Sequence, residues 1–556
     1  MLHTVRSRFF EDEEPVATAD AATSSYAPPT LATAATIVAL GFLGSRLLGL
    51  LRSVVIAHQF GTSASLDAFW VAFRVPDLIF QLIAGATLGA AFIPTFAKTL
   101  ASRGDREAWE LASSVLNLVF AATLVVAVIA LLLAPAIVPM TAPGLGEDVG
   151  REDELTSLAV DLTRIMMLSP VLFAVSGMFM GILNARHHFL APALAPMFYN
   201  AAIIVGALIS DDVRVLAFCV VIGALLHVLV QVPALRLVGM SWRPVWDWKD
   251  ASVREVARLM GPRVVGLAAY HFNFIIATFF ASMLAVGAIS GLNYAWLMVM
   301  TPLGLFGMAI STAAFPRMAE QAARDEDELS DTVSRALRLI LYLTIPASVG
   351  LMILAAPLVS LFLRGGAFGA ASSDLVTGAL ICYAFALFAH SGIEILSRGF
   401  YALSDTRTPV TFALVSLAVN LVLSLVLVIP FELNGLAAAL SIAAIIEFVL
   451  LLRALSPRLG GLDTPAVWAS AWRTILATML MAEVVLLWLA GLELAGALSM
   501  ASRASAGLAA IGGCVLGGAA FFVCTRVLGS AEAHLIAERV PLPGAVRARL
   551  QERGGL

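Results

Sequence analysis

The sequence predicts an all-α polytopic membrane protein with about fourteen transmembrane helices. Of its 556 residues, 60% are hydrophobic and 13% are charged, about half the charged fraction of an ordinary soluble protein. The mean hydropathy is +0.93. Apolar runs long enough to cross a bilayer, which takes roughly 20 residues each, recur from residue 33 to residue 528. A net charge of −4 gives no basic surface for nucleic acid.

The elements follow one another with short loops. Residues 1–30 are polar, acidic and rich in Pro, Ala and Ser, and they lack the features of a signal peptide, so we predict a disordered cytoplasmic tail. Pro76, Pro170, Pro302 and Pro346 are predicted kinks inside spans. The predicted spans are 33–58, 67–96, 111–134, 155–183, 190–210, 214–237, 256–286, 290–315, 335–362, 375–403, 409–430, 434–455, 470–493 and 505–528.

Loop charges predict the orientation. The loops after even-numbered spans, with their flanks, carry eighteen arginines and lysines, whereas the odd-numbered loops carry Arg151, Arg214, Arg364 and Arg503. Because cytoplasmic loops are enriched in basic residues, we expect both termini in the cytoplasm of a bacterium and the chain in its inner membrane.

Recurring motifs predict an internal repeat. Pro94 and Pro316 are 316 − 94 = 222 residues apart, and Asn200 and Asn420 are 420 − 200 = 220 apart. We predict an N-lobe at 31–240 and a C-lobe at 241–460, each of six helices around a central cavity. Two appended helices would occupy 461–530, and a cytoplasmic tail 531–556.

Two arginines lie deep in span 1. Arg46 and Arg52 are about 13 and 19 residues from its start, which places them roughly 20 and 28 Å into the membrane. A charge at that depth is costly unless it faces a cavity or a partner. The arginines therefore either bind an anionic substrate in a cavity or pair internally with Asp67 or Asp77 of span 2.

Other charges also lie within the predicted spans. Arg74 and Asp77 are three residues apart, and this spacing favours a local pair. Arg263 of span 7 either lines the cavity or extends toward the cytoplasmic surface. Glu394 of span 10 either binds a coupling cation or proton or pairs with Arg398 four residues later.

Motifs for other chemistry are missing. The sequence has no GxxxxGK[ST] motif for ATP, no HExxH motif and no cluster of catalytic residues in its loops. We therefore expect a transporter that does not hydrolyse ATP, with no catalytic residues and no resident cofactor.

Several stretches closely resemble the MurJ/MviN family of lipid II flippases, in the multidrug/oligosaccharidyl-lipid/polysaccharide (MOP) exporter superfamily. They are GSRLLGLLR at 44–52, VAFRVPD at 71–77, AFIP at 91–94, GILN at 181–184 and RGFYALSDTRTP at 398–409. These stretches occur in the same order as in the family, and the resemblance covers roughly residues 35–455. It implies two six-helix lobes around a cationic cavity, two C-terminal helices that form a lipid-facing groove, and alternating access.

The resemblance also implies roles for residues. Arg46 and Arg52 fall on the family's cavity arginines, and Arg263 is our third candidate for substrate binding. Ser45, Asp67, Arg74 and Asp77 are assigned to the cavity or its gate, and Glu394, Asn273 and Thr411 to a cation site.

The chain also departs from the family's pattern. Ser53 stands where the family has an acid, Phe80 and Gln81 where it has arginines, and Leu297 where it has the span 8 arginine. Asn273 replaces an acid of the family's sodium site, which weakens the case for sodium coupling.

We therefore predict a flippase that moves undecaprenyl-pyrophosphate-linked peptidoglycan precursor (lipid II) to the outer leaflet. A sodium or proton gradient or the membrane potential would reset the carrier. We expect a monomer, with cell-wall synthesis proteins as candidate partners. The alternatives are an exporter of another lipid-linked glycan or small amphiphile, and an inert scaffold of the cell-wall machinery.

Overall fold

The computed structural model describes residues 31–85, 92–324 and 326–539. Within these ranges it contains twenty α-helices, which confirms the all-α prediction. The first nine are α1 Leu31–Phe60, α2 Ala64–Phe80, α3 Ile93–Arg103, α4 Asp105–Thr141, α5 Glu152–Met166, α6 Leu168–Ala185, α7 Leu190–Ile209, α8 Val213–Leu229 and α9 Val232–Leu237. After a non-helical linker come α10 Ala251–Ala281, α11 Ala288–Pro302, α12 Ala309–Ala322, α13 Glu326–Ile353, α14 Ala355–Phe362, α15 Ala370–Ala384, α16 Leu387–Ala402, α17 Arg407–Arg458, α18 Thr464–Leu494, α19 Arg503–Val527 and α20 Ala531–Arg539.

Side chains from the loops determine where several helices begin. The Ser63 hydroxyl accepts a hydrogen bond from Leu66 N–H at the start of α2. The Asp212 carboxylate accepts one from Arg214 N–H at the start of α8, and Asp250 does the same at the start of α10. These caps satisfy backbone donors that have no partner within the first turn of a helix.

Many of these helices can cross a membrane. By length and hydropathy, ten helices or joined pairs in the described ranges qualify, and the pair α15 and α16, bent by 44°, makes an eleventh. The predicted span 2 includes residues 86–91, which lie outside the described ranges, and α10 contributes the shorter apolar stretch Leu267–Ala281. The chain is thus a multi-pass membrane protein, and the count of fourteen stays a prediction.

The 52-residue helix α17 contains two antiparallel arms. Glu432 has φ 47° and ψ −125°, which breaks the helix. The Ser416 hydroxyl donates to the Ala443 carbonyl at 3.2 Å, although 27 residues of straight helix would separate them by about 40 Å. The chain therefore reverses near Glu432, where the sequence predicted the boundary between spans 11 and 12.

Two prolines precede π-helical turns. Pro76 lies in α2, which leads into the π-helix Gln81–Gly85, and Pro302 ends α11 directly before the π-helix Leu303–Met308. The two π-helices begin 303 − 81 = 222 residues apart. π-Helical turns occur frequently at functional sites. Both of these lie in spans that face the other half of the chain, where the first half is the predicted N-lobe, 31–240, and the second half is the predicted C-lobe, 241–460.

The buried apolar residues that the structure describes form five clusters, and three of them show how the two halves of the chain pack. We call the end of the bundle where α1 begins the near face, and the end where α1 stops at Phe60 the far face. Toward the far face a single core contains Phe60 and Phe69 as well as Tyr294 and Tyr383. Toward the near face, a core around Trp109 includes the start of α10, and a distinct core surrounds Leu337. The two halves of the chain therefore pack together at the far face.

The two C-terminal spans pack against α13. Met481 of α18, Phe521 of α19 and Tyr342 of α13 belong to one apolar cluster. The short helix α20 is attached to the same helix, because Glu532 accepts hydrogen-bonded ion-pair contacts from Arg338 at 2.7 and 2.8 Å. The first residues of the predicted C-terminal tail are therefore helical and packed.

Candidate functional site

Arg74 connects helices from the two halves of the chain. It lies on α2, and its Nε donates to Thr278 Oγ1 of α10 at 3.2 Å. Its Nη2 donates to Asn293 Oδ1 of α11 at 2.9 Å. Its guanidinium also lies 5.3 Å from the centre of the Phe274 ring, a favourable cation–π contact. Three contacts thus link Arg74 to residues more than 190 positions away.

A small pocket, with room for about one water molecule, lies beside this arginine. Its lining comes from both halves and mixes polar, aromatic and aliphatic groups, namely Arg74, Phe274, Ala277, Thr278, Ile289, Leu292, Asn293, Trp296 and Tyr383. The pocket lies between α2, α10, α11 and α15, which is the boundary between the two predicted lobes.

Asp77 also faces the second half. Its Oδ2 lies 3.9 Å from His271 Nδ1, and Arg74 and Arg52 both exert a favourable electrostatic attraction on it. The local pair of Arg74 and Asp77 expected from their spacing is therefore not the main arrangement, because the hydrogen bonds of Arg74 go to α10 and α11. Spacing along one helix could not indicate partners on another.

Asp67 joins the halves at the far face. Its carboxylate accepts hydrogen bonds from Gly287 N–H at 2.6 Å and Ser290 N–H at 2.7 Å, and from the Ser290 hydroxyl. Asp67 is only 4% exposed. A carboxylate is favourable at a helix N-terminus, where backbone N–H groups lack partners. Asp67 thus caps α11, and its carboxylate is occupied by these donors instead of by Arg46 or Arg52.

Further contacts close the far face around Asp67. The hydroxyls of Thr62 and Ser372 lie 2.8 Å apart, and the Tyr294 hydroxyl donates to the Gly61 carbonyl at 3.2 Å. The N–H of Ala367 donates to the His58 carbonyl at 2.8 Å. Loops from both halves are thus hydrogen-bonded to each other where α1 ends.

Arg46 lies at the middle of α1, and Arg52 lies about two turns before the far-face end of the same helix. Arg46 is exposed, and its guanidinium lies 5.0 Å from the centre of the Phe42 ring. Arg52 is half-buried, and its Nε is buried without a hydrogen-bond acceptor. Beside Arg46, the Ser45 carbonyl accepts a long 3.5 Å hydrogen bond from Asn200. Buried N–H donors nearly always have a partner, so the Arg52 Nε is a donor available to an anionic ligand.

The third predicted binding residue is Arg263. It lies on α10, but its side chain is outside the described residues. Its assignment to the cavity stays a prediction.

The three residues predicted to bind a cation have different partners. Glu394 Oε2 lies 3.5 Å from Arg398 Nη2, and Asn273 Oδ1 accepts a hydrogen bond from Asn420. Thr411 is exposed and donates to the carbonyl of Arg407 in its own helix. Among the described residues, no group of three or more His, Cys, Asp or Glu side chains could hold a metal ion. The structure therefore favours the ion pair with Arg398 for Glu394.

Sequence reasoning missed several of these partners. His271, Thr278 and Asn293 are polar residues inside apolar spans, so the signal that identified the arginines was available for them as well. Glu447, on the second arm of α17, lies within hydrogen-bonding reach of Ser416 on the first arm. Which helix each residue faces could be determined only from the fold.

Comparisons with known proteins agree on one family. The family model described as "Lipid II flippase MurJ" matches residues 56–502. The protein of Burkholderia cenocepacia named "Lipid II flippase MurJ" is 32% identical over 424 residues, covering 74% of this chain and 81% of that protein. The protein of Vibrio cholerae named "Probable lipid II flippase MurJ" is 31% identical over 431 residues, covering 75% and 82%.

Solved structures share the fold. One described as "Lipid II flippase MurJ, inward closed conformation" matches with a TM-score of 0.73 at 22% identity, covering 88% of this chain and 98% of that one. An inward-facing multidrug resistance MATE family transporter of the MOP superfamily matches with a TM-score of 0.62 at 15% identity, covering 75% and 94%. These likenesses concern the fold alone.

Proposed function

The chain belongs to the lipid II flippase MurJ family, and from this premise we propose that it moves lipid II across the membrane by alternating access. Lipid II carries a pyrophosphate between its polyprenyl tail and its sugar head group. Arginine is the side chain best suited to bind such a group, because its fork of N–H donors matches phosphate oxygens. Arg46 and Arg52 would bind the pyrophosphate.

The observation that carries this proposal is the unpaired Nε of Arg52. It is a buried donor on a cationic side chain within the membrane, and such a group is costly without a partner. The nearby carboxylates do not satisfy it, because Asp67 is bound to α11 and Asp77 lies against His271. A pyrophosphate oxygen would supply the missing acceptor.

The contacts between the halves support a direction of access. The far face is held by hydrogen bonds between the two halves. At the near face the second half joins the Trp109 core only through the start of α10, and a distinct core surrounds Leu337. The basic residues of the even-numbered loops favour a cytoplasmic location for the near face. In this state the substrate would enter from the inner leaflet.

Return of the empty carrier needs an energy source. The chain has no ATP-binding motif, so the proposal relies on the membrane potential or on a sodium or proton gradient. A cavity that contains the Arg46 and Arg52 guanidiniums carries positive charge, and a membrane potential acts directly on such a charge when it moves.

One experiment tests the cargo. The chain is expressed in a bacterium depleted of its own lipid II flippase, and lipid II in the outer leaflet is measured. We expect restored flipping and growth. Failure to flip lipid II, with the protein present in the membrane at normal amounts, would rule out this function and leave the exporter and scaffold interpretations.

A second cargo class follows from one feature of the cavity wall. Span 8 contains no charged side chain from Ala288 to Pro316, so fewer cations meet the head group than the family's pattern implies. If lipid II is not moved but another polyprenyl-pyrophosphate glycan is, the site is correct and the head-group assignment is wrong.

A further inference from the structure

Arg46 lies beside a glycine of the other half of the chain. A Cβ atom built on Gly304 would lie 3.1 Å from Nη2, 3.2 Å from Cζ and 3.3 Å from Nη1 of Arg46. Gly304 belongs to the π-helix Leu303–Met308 of span 8, whereas Arg46 belongs to α1. The guanidinium therefore lies in the space that a side chain at position 304 would occupy.

Only glycine leaves this space free. Contacts of 3.0 to 3.4 Å are tighter than almost all real Cβ contacts, so even alanine at this position would displace the guanidinium by a few tenths of an ångström. Gly304 is buried and its backbone is right-handed helical. The glycine is therefore not required by the backbone conformation, since any residue can adopt it.

The Arg46 guanidinium brings a positive charge to the side of the cavity formed by span 8, which we call the span 8 wall. Span 8 has no charged side chain from Ala288 to Pro316. Along this wall, Leu297 lies two helical turns before Gly304, on the same side of the helix and about 10 Å away. Arg46 is thus a cation that the first half supplies to the wall of the second half.

We propose that Gly304 is a positioning residue for substrate binding, because it allows the Arg46 guanidinium to lie against span 8 and face a pyrophosphate from the second half's side. This inference rests on the proposed function. Arg52, on the same helix as Arg46, would bind the pyrophosphate from the first half's side. A larger side chain at position 304 would move Arg46 away without altering its charge.

The test measures binding of undecaprenyl pyrophosphate to the full-length protein in detergent micelles. We expect Gly304→Ala to weaken binding about threefold and Gly304→Leu on the order of tenfold, approaching Arg46→Ala, since the loss of a charge-assisted hydrogen bond costs that much. The midpoint temperature of thermal unfolding should not be lower in Gly304→Ala than in the wild type, because alanine has a higher helix propensity than glycine.

Two further variants separate positioning from packing. In an Arg46→Ala background, substitutions at Gly304 should have no additional effect on binding, because their effect acts through Arg46. In the Gly304→Leu protein, Leu297→Arg should restore part of the affinity by supplying a cation to the same wall. The matched control is Gly350→Ala in α13, where a Cβ atom would meet nothing within 4 Å and affinity should not change.

The outcomes are distinct. If Gly304→Leu binds the probe as tightly as the wild type, or weakens binding equally with and without Arg46, the positioning role is wrong. If Arg46→Ala binds as tightly as the wild type, the proposed pyrophosphate site itself fails, and the positioning role falls with it.

Discussion

Asp67 of α2 binds Ser290 of α11 through both the backbone N–H and the hydroxyl of the serine. A side chain from the first half of the chain thus completes the first turn of a helix from the second half. Because the carboxylate also accepts from Gly287 N–H, separation of the halves at the far face would leave three donors and a buried carboxylate unpaired. Such a loss is costly unless water replaces the contacts, so Asp67 favours the closed far face.

Asp67→Asn should therefore shift the protein toward a state that is open at the far face. The amide has one acceptor oxygen instead of two and no charge to complement the helix N-terminus. Spin labels at Glu147→Cys and Ala371→Cys, both exposed near the far face, would report the distance after the native cysteines are replaced by serine. We expect a larger population of long distances.

Asp153→Asn is the matched control, since Asp153 is an exposed acid near the same face. It should leave the distances unchanged. An identical distance distribution in Asp67→Asn and the wild type would show that this contact does not hold the far face closed.

A disulfide across the far face should stop transport reversibly. The hydroxyl oxygens of Thr62 and Ser372 are 2.8 Å apart, and replacement by two cysteines brings sulfurs close enough to bond. In a protein without native cysteines, oxidation of Thr62→Cys/Ser372→Cys should abolish lipid II flipping, and a reductant should restore it. Each single-cysteine variant serves as a control. Full activity in the crosslinked protein would contradict alternating access at this face.

The sequence predicted the fold well because its signals are local. Apolar length predicted the spans, and the depth of Arg46 and Arg52 in α1 singled out the candidate site. The contacts of Asp67 and Arg74 were not predicted, because their partners are more than 200 residues away along the chain. The short i,i+3 spacing of Arg74 and Asp77 suggested a local pair instead, since sequence spacing carries no information about a neighbouring helix.

Arg74 and Asn293 should be energetically coupled. The Nη2 to Oδ1 hydrogen bond of 2.9 Å involves a charged donor, and such bonds contribute about 2 kcal/mol. We expect Arg74→Gln and Asn293→Ala each to lower thermal stability, and the double variant to be only slightly worse than Arg74→Gln alone. Fully additive losses would show that this bond does not connect the two halves.

Glu394→Gln should leave the sodium dependence of transport unchanged. The carboxylate lies 3.5 Å from Arg398 Nη2, and the other two candidate ligands are bound elsewhere. Because the neutral variant leaves Arg398 without its partner, we expect slower flipping at every sodium concentration. A changed sodium or pH dependence in proteoliposomes would instead make Glu394 a coupling site.

The central claim is that Arg46 and Arg52 bind the pyrophosphate of the transported lipid. The most direct measurement is the rate of lipid II flipping by Arg46→Gln and Arg52→Gln in proteoliposomes, with the exposed Arg214→Gln as control. We expect each cavity variant to be slower by about tenfold or more, since each loses charge-assisted hydrogen bonds, while Arg214→Gln flips at the wild-type rate. Wild-type rates in both Arg46→Gln and Arg52→Gln would contradict the claim.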